Sequence, residues 1–259
     1  MVNDERIKIR FVGTGSAKTN LKRFHTSFII SRDVDNILID CGDGISRKLA
    51  ELQINLNSIK NILITHTHPD HFSGIAALLV NMKMIGRESP ISIFIHQDLM
   101  DFVKYFFAQS YLFFERFDFP VDFKTYNCEE KTILNDCISF QAKENSHLSK
   151  YHQLVKSKNV KSASSSFLFE IGNKKIFYSS DIGDKSDLHL FKDEFNACII
   201  ESTHIEISEI VEYLNGNSSN KYFLVHIDEE REELLKSNLL DKISKGKVFI
   251  PNDGDEYLI

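Results

Sequence analysis

The chain has 259 residues and a mass of 29.9 kDa, with 42% hydrophobic and 26% charged residues. That balance excludes a disordered, fibrous or collagen-like protein, and a chain of this length buries roughly three quarters of its unfolded surface without covalent staples. The net charge is −6, from 31 Lys+Arg against 37 Asp+Glu, which excludes a protein that holds long nucleic-acid duplexes mainly through its overall field.

Met1 to Arg10 is charged and has no apolar core of the signal-peptide kind, and no run approaches the roughly 18 apolar residues of a membrane span. Ile7 to Phe11 alternates as a strand, and Gly13-Thr14-Gly15-Ser16 ends it in a turn. Strands follow at Ser27 to Ser31 and Asn36 to Asp40. A helix is expected from Ile45 to Leu52 after Gly42-Asp43-Gly44. Ile62 to Ile64 is wholly apolar, as a strand buried on both faces is, and it runs into Thr65-His66. Phe72 to Met84 predicts one helix, Ile91 to Ile95 a strand, and Leu99 to Phe114 a mostly helical stretch. Tyr105 to Phe119 is more aromatic than one buried stripe requires. It fits ordinary core, a base-stacking surface or, if exposed, a dimer contact.

In the second half Lys150 to Ser165 reads as a small basic loop. Ser166 to Ile171 and Lys175 to Ser179 flank Gly172-Asn173 as a hairpin. Ala197 to Glu201 and Tyr222 to His226 are buried strands, and Glu229 to Ile243 is an amphipathic helix. Val248 to Pro251 and Glu256 to Ile259 flank Asn252-Asp253-Gly254 as a second hairpin. No repeat or linker divides the chain, so residues 1–259 read as a single domain. Cys41, Cys128, Cys137 and Cys198 have no metal-finger spacing, which suits buried or free thiols and a reducing, cytoplasmic setting.

The chemistry concentrates in His66-Thr67-His68-Pro69-Asp70-His71 at the end of a buried strand. Residues two apart on a strand end point the same way, so His66 and His68 can grip one ion. After the turn at Pro69, Asp70 and His71 can face a second. Imidazole with carboxylate suits Zn²⁺, Mn²⁺ or Fe. Three further ligand-type residues, His147, Asp181 and His226, follow the apolar runs Ile138 to Ala142, Lys175 to Ser179 and Tyr222 to Val225. His152 competes with His147 on the same segment, and His147 is nearer the strand end.

With these residues, and with Gly13-Thr14-Gly15-Ser16, Asp40-Cys41-Gly42-Asp43-Gly44, Phe72-Ser73-Gly74-Ile75, Tyr178-Ser179-Ser180-Asp181 and Val225-His226, nearly the whole chain resembles the metallo-β-lactamase superfamily. Within it the likeness is to the tRNase Z-like phosphodiesterase branch. The resemblance implies an α/β fold, the αββα sandwich, with two mixed sheets face to face, helices outside and the metal site at one edge. It implies two divalent ions, Zn²⁺ first and Mn²⁺ second. His66, His68 and His147 would hold one, Asp70, His71 and His226 the other, and Asp181 would bridge them.

Two cations roughly 3.5–4 Å apart can share a water and lower its pKa to about 7, giving a bridging hydroxide in line with phosphorus. Asp70 and His204 are the candidate catalytic groups, His204 to protonate the leaving oxygen. Asp40 is the candidate that orients a metal-bound imidazole from behind.

True tRNases Z carry a long arm between the positions of His147 and Asp181. Here only 33 residues separate the two, too few for that arm. Armless relatives include phosphodiesterases, phage enzymes among them, that destroy cyclic-nucleotide immune signals. The expectation is therefore hydrolysis of small phosphodiesters, 3′,5′-cyclic mononucleotides foremost, by a homodimer without membrane or long nucleic-acid partners. The alternatives are a tRNase Z-like or exonucleolytic nuclease, a hydrolase of carbon esters, lactones or thioesters, and a binding module on a decayed site.

Overall fold

A computed structural model describes residues 7–32, 35–240 and 247–259. The first half lays down β1 (Ile7–Gly13), β2 (Ser27–Arg32), β3 (Asp35–Ile39), α1 (Ile45–Glu51), β4 (Ile59–Leu63), α2 (Pro69–Phe72), α3 (Ile75–Met84), β5 (Ile91–His96), α4 (Met100–Gln109) and β6 (Val121–Tyr126). The second half follows with β7 (Lys131–Asn135), β8 (Ile138–Glu144), α5 (His152–Lys158), β9 (Ser165–Ile171), β10 (Lys174–Tyr178), β11 (Ala197–Glu201), α6 (Ile207–Gly216), β12 (Lys221–Val225), α7 (Glu229–Leu240), β13 (Val248–Phe249) and β14 (Glu256–Leu258).

The strands form two seven-stranded sheets, β14-β1-β2-β3-β4-β5-β6 and β13-β12-β11-β10-β9-β8-β7. Both are mixed, and both change from antiparallel to parallel pairing part-way across, the first at β3 and the second at β10. Past that point the parallel strands end on one edge, where open α/β sheets gather their functional loops.

Alternation along the strands makes the layers. Ile9, Phe11, Phe28 and Ile30 meet Phe167, Phe169, Ile176 and Phe223 in one apolar cluster between the sheets. The opposite face of the first sheet is covered by Ile45 and Leu49 of α1, Leu78 and Met82 of α3, and Val103 and Phe107 of α4. That of the second is covered by Ile210 and Leu214 of α6 and Leu235 and Leu239 of α7. The fold is the expected αββα sandwich of the metallo-β-lactamase superfamily.

Four local expectations need correction. The helix expected over Phe72 to Met84 is two helices, α2 and α3, parted at Ser73-Gly74. Gly74 donates its N–H to the Cys41 carbonyl, and a Cβ there would stand 2.0 Å from the Gly42 oxygen. The basic loop Lys150 to Ser165 contains α5, a helix that buries none of its residues and so leaves no apolar period to read. The edge strands β6 and β7 went unread because they are largely exposed and rich in polar residues. Asn252-Asp253-Gly254 makes no hairpin, since β13 pairs with β12 in one sheet and β14 with β1 in the other. This turn instead carries the chain between sheets, held by Thr14 Oγ1 and the Phe24 N–H, which donate to the Asp253 carboxylate at 2.8 and 2.7 Å.

Residues 241–243 of the helix expected to reach Ile243, and Met1 to Arg6 of the charged N-terminus, lie outside the described residues. No helix among the described residues is long and apolar enough to cross a membrane. Cys41 and Cys198 are buried, Cys137 is exposed, and all four cysteines are free.

Candidate metal centre

Four strand ends from both sheets converge on one spot. After β4, Thr65 and His66 lead into α2, which is capped by Pro69 at its first turn and presents Asp70 and His71. His147 comes from the segment after β8, Asp181 from the one after β10 and His226 from the one after β12. The chain turns sharply after β3, β10 and β12. Asp40, Ser180 and His226 all adopt positive φ, at 59°, 53° and 57°. Such backbone costs an L-residue energy and gathers at functional sites.

Two groups of side chains that share a carboxylate result, beside a third made of Glu201, His204 and His226. His66, His68, His147 and Asp181 form one, and Asp70, His71, Asp181 and His226 the other, each with its ligand atoms within 4.8 Å of one another. Asp181 belongs to both. In the first group His66 Nε2 and His147 Nε2 each lie 3.1 Å from His68 Nδ1. Ligands on a tetrahedral ion at 2.0–2.1 Å stand about 3.3 Å apart, so this spacing suits one cation. In the second group His71 Nε2 is 3.4 Å from Asp70 and 3.3 Å from Asp181, and His226 Nε2 is 3.3 Å from both carboxylates. His71 Nε2 and Asp181 Oδ1 are buried without a hydrogen-bond partner. Unmatched buried atoms of this kind, aimed into a common space, fit bound cations. His152 starts α5, is exposed and is not among the two groups.

Asp40 governs the orientation of two imidazoles. It is fully buried, and His71 Nδ1–H donates to its Oδ2 at 2.8 Å. Thr65 Oγ1 also donates to Asp40 Oδ2, at 3.0 Å, and so accepts from His66 Nδ1–H at 3.0 Å. Both rings are therefore held with Nε2 aimed toward the centre. The sequence pointed to Asp40 but not to Thr65, whose only signal was its place beside His66.

The charges divide between the groups. Burial, reinforced by the neighbouring His71, holds His66 well below its ordinary pKa, and burial lowers His147 to about 3. Burial also opposes charge on His71, but the carboxylates of Asp181 and Asp40 outweigh it and raise that imidazole well above its usual value. His226 is raised likewise against burial, by Asp181 and Asp70. Burial disfavours charge on Asp181, yet His226 and His71 hold its carboxyl low.

His204 stands at the rim. Its ring stacks on His226 at 5.3 Å and meets His147 edge-on at 4.8 Å. Behind it lies Glu201, a residue the sequence reading passed over. Glu201 is buried at the end of β11 and accepts the backbone N–H of Thr203 and His204 at 2.7 and 3.1 Å. Its Oε1 lies 3.3 Å from His204 Nδ1. The signal that could have found it was a carboxylate closing an otherwise apolar strand.

A protein-family model described as Anti-Pycsar protein Apyc1 matches residues 7–249. Among curated proteins, a ribonuclease Z of Saccharolobus islandicus is 36% identical over 132 residues, which are 49% of this chain and 43% of that protein. A ribonuclease Z of Aeropyrum pernix is 34% identical over 99 residues, 38% of this chain and 32% of that protein. The chain thus spans less than half the length of these curated relatives. Among solved structures, the metallo-beta-lactamase fold protein YhfI from Bacillus subtilis superposes with a TM-score of 0.77 at 14% identity, covering 98% of this chain and 100% of that one. The short form of human tRNase Z gives 0.70 at 19%, covering 96% and 98%. Yeast PDE1 gives 0.67 at 13%, covering 98% and 100%. At such identities these structures establish the fold.

Proposed function

The chain belongs to the Apyc1 family of anti-Pycsar proteins, and from that premise we propose that it is a metal-dependent phosphodiesterase that opens 3′,5′-cyclic mononucleotides to linear monophosphates. The observation that carries this reading is the pair of His/Asp groups joined at Asp181. Two adjacent cations are the usual means of attacking a phosphodiester in line. The short segment between His147 and Asp181, with α5 as its one α-helix, favours a compact substrate over a folded RNA.

His66, His68 and His147 would hold one ion and Asp70, His71 and His226 the other, with Asp181 within reach of both. Zn²⁺ leads and Mn²⁺ follows, because the donors are imidazole and carboxylate. When bound, such ions supply Lewis acidity toward the phosphoryl oxygens and an acidified water as nucleophile. The protein's own groups do the rest. Asp70 accepts a hydrogen bond from the attacking water and aligns it. Asp40 and Thr65 fix the tautomers of His71 and His66. As the P–O bond breaks, His204 gives its proton to the departing ribose oxygen, while Glu201 holds the ring in place. Water thus adds across one P–O bond: its oxygen joins phosphorus, its proton passes to solvent, and His204 protonates the leaving oxygen and is recharged from solvent.

The assembly we assign is a homodimer of residues 1–259 as one domain. Tyr105, Tyr111 and Phe113, with Met84 and Ile85 at the end of α3, are exposed, and exposed apolar surface of that kind favours contact with a second copy. A cytoplasmic setting suits the four free thiols.

The ribonuclease Z relatives favour a second reading, a nuclease. One experiment separates them: a panel of 3′,5′-cyclic mononucleotides and a precursor tRNA, each incubated with Mn²⁺- or Zn²⁺-loaded protein. Linear monophosphates with intact tRNA are expected. Trimmed tRNA with intact cyclic nucleotides would make the nuclease the function.

A further inference from the structure

We infer that Asp187 is a positioning residue for the first ligand group: its buried carboxylate ties the segment bearing His147 to the segment bearing Asp181, and so sets the grip of that group on its cation. This deepens the phosphodiesterase reading above and rests on its pair of metal sites. Asp187 lies in the 3-10 helix Lys185–His189, is 4% exposed and belongs to none of the ligand groups. The next residue, Leu188, is buried in the outer core of the second sheet, which anchors the carboxylate from behind.

The sheet itself does not join the two segments. They leave β8 and β10, which both pair with β9 and not with each other. Neighbouring strands stand about 4.8 Å apart, so strands with another between them stand about twice that. Beyond the strand ends the segments close on one another. A Cβ on Gly183 would lie 2.3 Å from Ser146 Oγ and 2.4 Å from the Ser146 carbonyl oxygen, an approach that glycine admits. Asp187 reaches into this junction. Its Oδ2 accepts from the Ser146 hydroxyl at 2.7 Å, from the Ser146 N–H at 3.0 Å and from the Gly183 N–H at 2.9 Å, and its Oδ1 stands 3.1 Å from the same Ser146 nitrogen. Ser146 directly precedes His147, and Gly183 lies two residues after Asp181.

His147 depends on such a tie. Thr65 holds the Nδ1 of His66 and Asp40 that of His71, whereas His147 Nδ1 is buried and bonds to no group of the protein. The His147 ring therefore takes its place from its backbone, and that backbone is fixed at Ser146. Its Nε2 lies 3.1 Å from His68 Nδ1 and 3.8 Å from Asp181 Oδ2, and Asp187 holds both ends of the second distance at once. The second ligand group draws no residue from the segment after β8. Its Asp181 has a separate anchor in the next residue, Ile182, which is fully buried. Loss of the tie thus frees His147 while Asp181 stays seated, and the cost falls on one ion of the two.

The test follows metal rather than turnover. The full chain is titrated with Zn²⁺ against a chromophoric chelator to give an affinity for each ion, and the Co²⁺-loaded protein supplies visible absorption bands. His147→Ala identifies the first ion as the one whose affinity and band it alters. Asp187→Asn keeps the size of the side chain but cannot present two acceptor oxygens to the junction. It should shift the same band and weaken the same ion about 10- to 100-fold, with the other ion unchanged within about twofold. Ser146→Ala removes one donor and keeps the backbone N–H, and should weaken that ion about threefold. Gly183→Ala forces the segments apart with the carboxylate still in place, and should reproduce the pattern of Asp187→Asn; these two variants carry the test should Asp187→Asn fail to fold. Equal weakening of both ions, or no weakening of either, would overturn the tie. Wild type that binds two ions yet opens no cyclic nucleotide would overturn the function proposed above and leave the tie standing. Wild type that takes up fewer than two ions would overturn the paired centre and the tie with it.

Discussion

At the scale of single residues, Asp181 carries the most consequence, because both ligand groups share it. Asp181→Ala should abolish turnover and leave fewer than two ions per chain by elemental analysis, with the far-ultraviolet spectrum of a folded protein. Asp40→Asn should be gentler. It removes the acceptor that orients His71 and, through Thr65, His66, so metal affinity should fall about 10- to 100-fold in a competition titration with a chelator. Glu201→Gln tests the proton donor: kcat on a cyclic nucleotide should fall roughly 100-fold with a smaller change in KM, as His204 loses the carboxylate that holds its ring. Proton counting gives a further check. His71 and His226 have raised pKa values in the metal-free state, so they hold protons near neutrality that an incoming cation must displace. Metal uptake should therefore release protons, seen as buffer-dependent heats in calorimetry, and affinity should fall as pH is lowered. His66 and His147, kept neutral mainly by burial, add nothing to that release. The ligand-rich run at 66–71 was legible because four chemical residues crowd six positions. Thr65 and Glu201 were not, because each works through a neighbour whose position only the fold reveals.

At the scale of elements, α2 is held by its backbone as well as by its side chains. Cys41 N–H donates to the His71 carbonyl at 2.8 Å, and Gly74 N–H to the Cys41 carbonyl at 2.9 Å. A Cβ on Gly42 would lie 1.8 Å from the Asp70 carbonyl oxygen. Gly42→Ala should push α2 away, lowering stability by about 1–3 kcal/mol in denaturant titrations and weakening metal binding with it. Arg87 plays a similar part beneath the first sheet. It is fully buried, and its guanidinium donates to the carbonyls of Leu56, Ile59, Ser89 and Pro90 at 2.7–2.9 Å. Arg87→Met should cost about 3 kcal/mol, because it strands buried carbonyls that no methionine can satisfy. Strands with both faces covered announced themselves as apolar runs. The edge strands β6 and β7, and the helix α5 that buries nothing, had no pattern to announce. The false hairpin at residues 252–254 shows the limit of turn residues as signals. Gly254 does take a left-handed φ of 100°, but turn chemistry says only that the chain bends, and the destination of β14 is set by its pairing with β1.

For the whole molecule, the layers followed from alternation and the likeness in motifs, while the meeting of the two halves did not. His66, His68, Asp70 and His71 come from one sheet's loops and His147, Asp181 and His226 from the other's, and no sequence spacing measures the gap between them. Cations bound at the proposed centre would therefore clasp two sheets that otherwise meet through an apolar interior and a few hydrogen bonds, such as that from Arg32 to the Cys137 carbonyl. Chelation should lower the midpoint of thermal unfolding, and restoring Zn²⁺ should return it, in proportion to the logarithm of free metal above the dissociation constant.

That seam makes the centre a ruler for the sandwich. Apolar side chains at a sheet interface tolerate small sliding, because one aliphatic contact replaces another at little cost. Coordination bonds tolerate only about 0.2 Å, whereas a slip of one residue along a strand is about 3.3 Å. A core substitution at the far end of the strands, such as Ile171→Val between the sheets, would cost only about 1 kcal/mol in unfolding and still offset the two ligand sets. Affinity for metal would then record a misalignment that stability barely registers, and the fidelity of sheet stacking in this protein is best read with a chelator in hand.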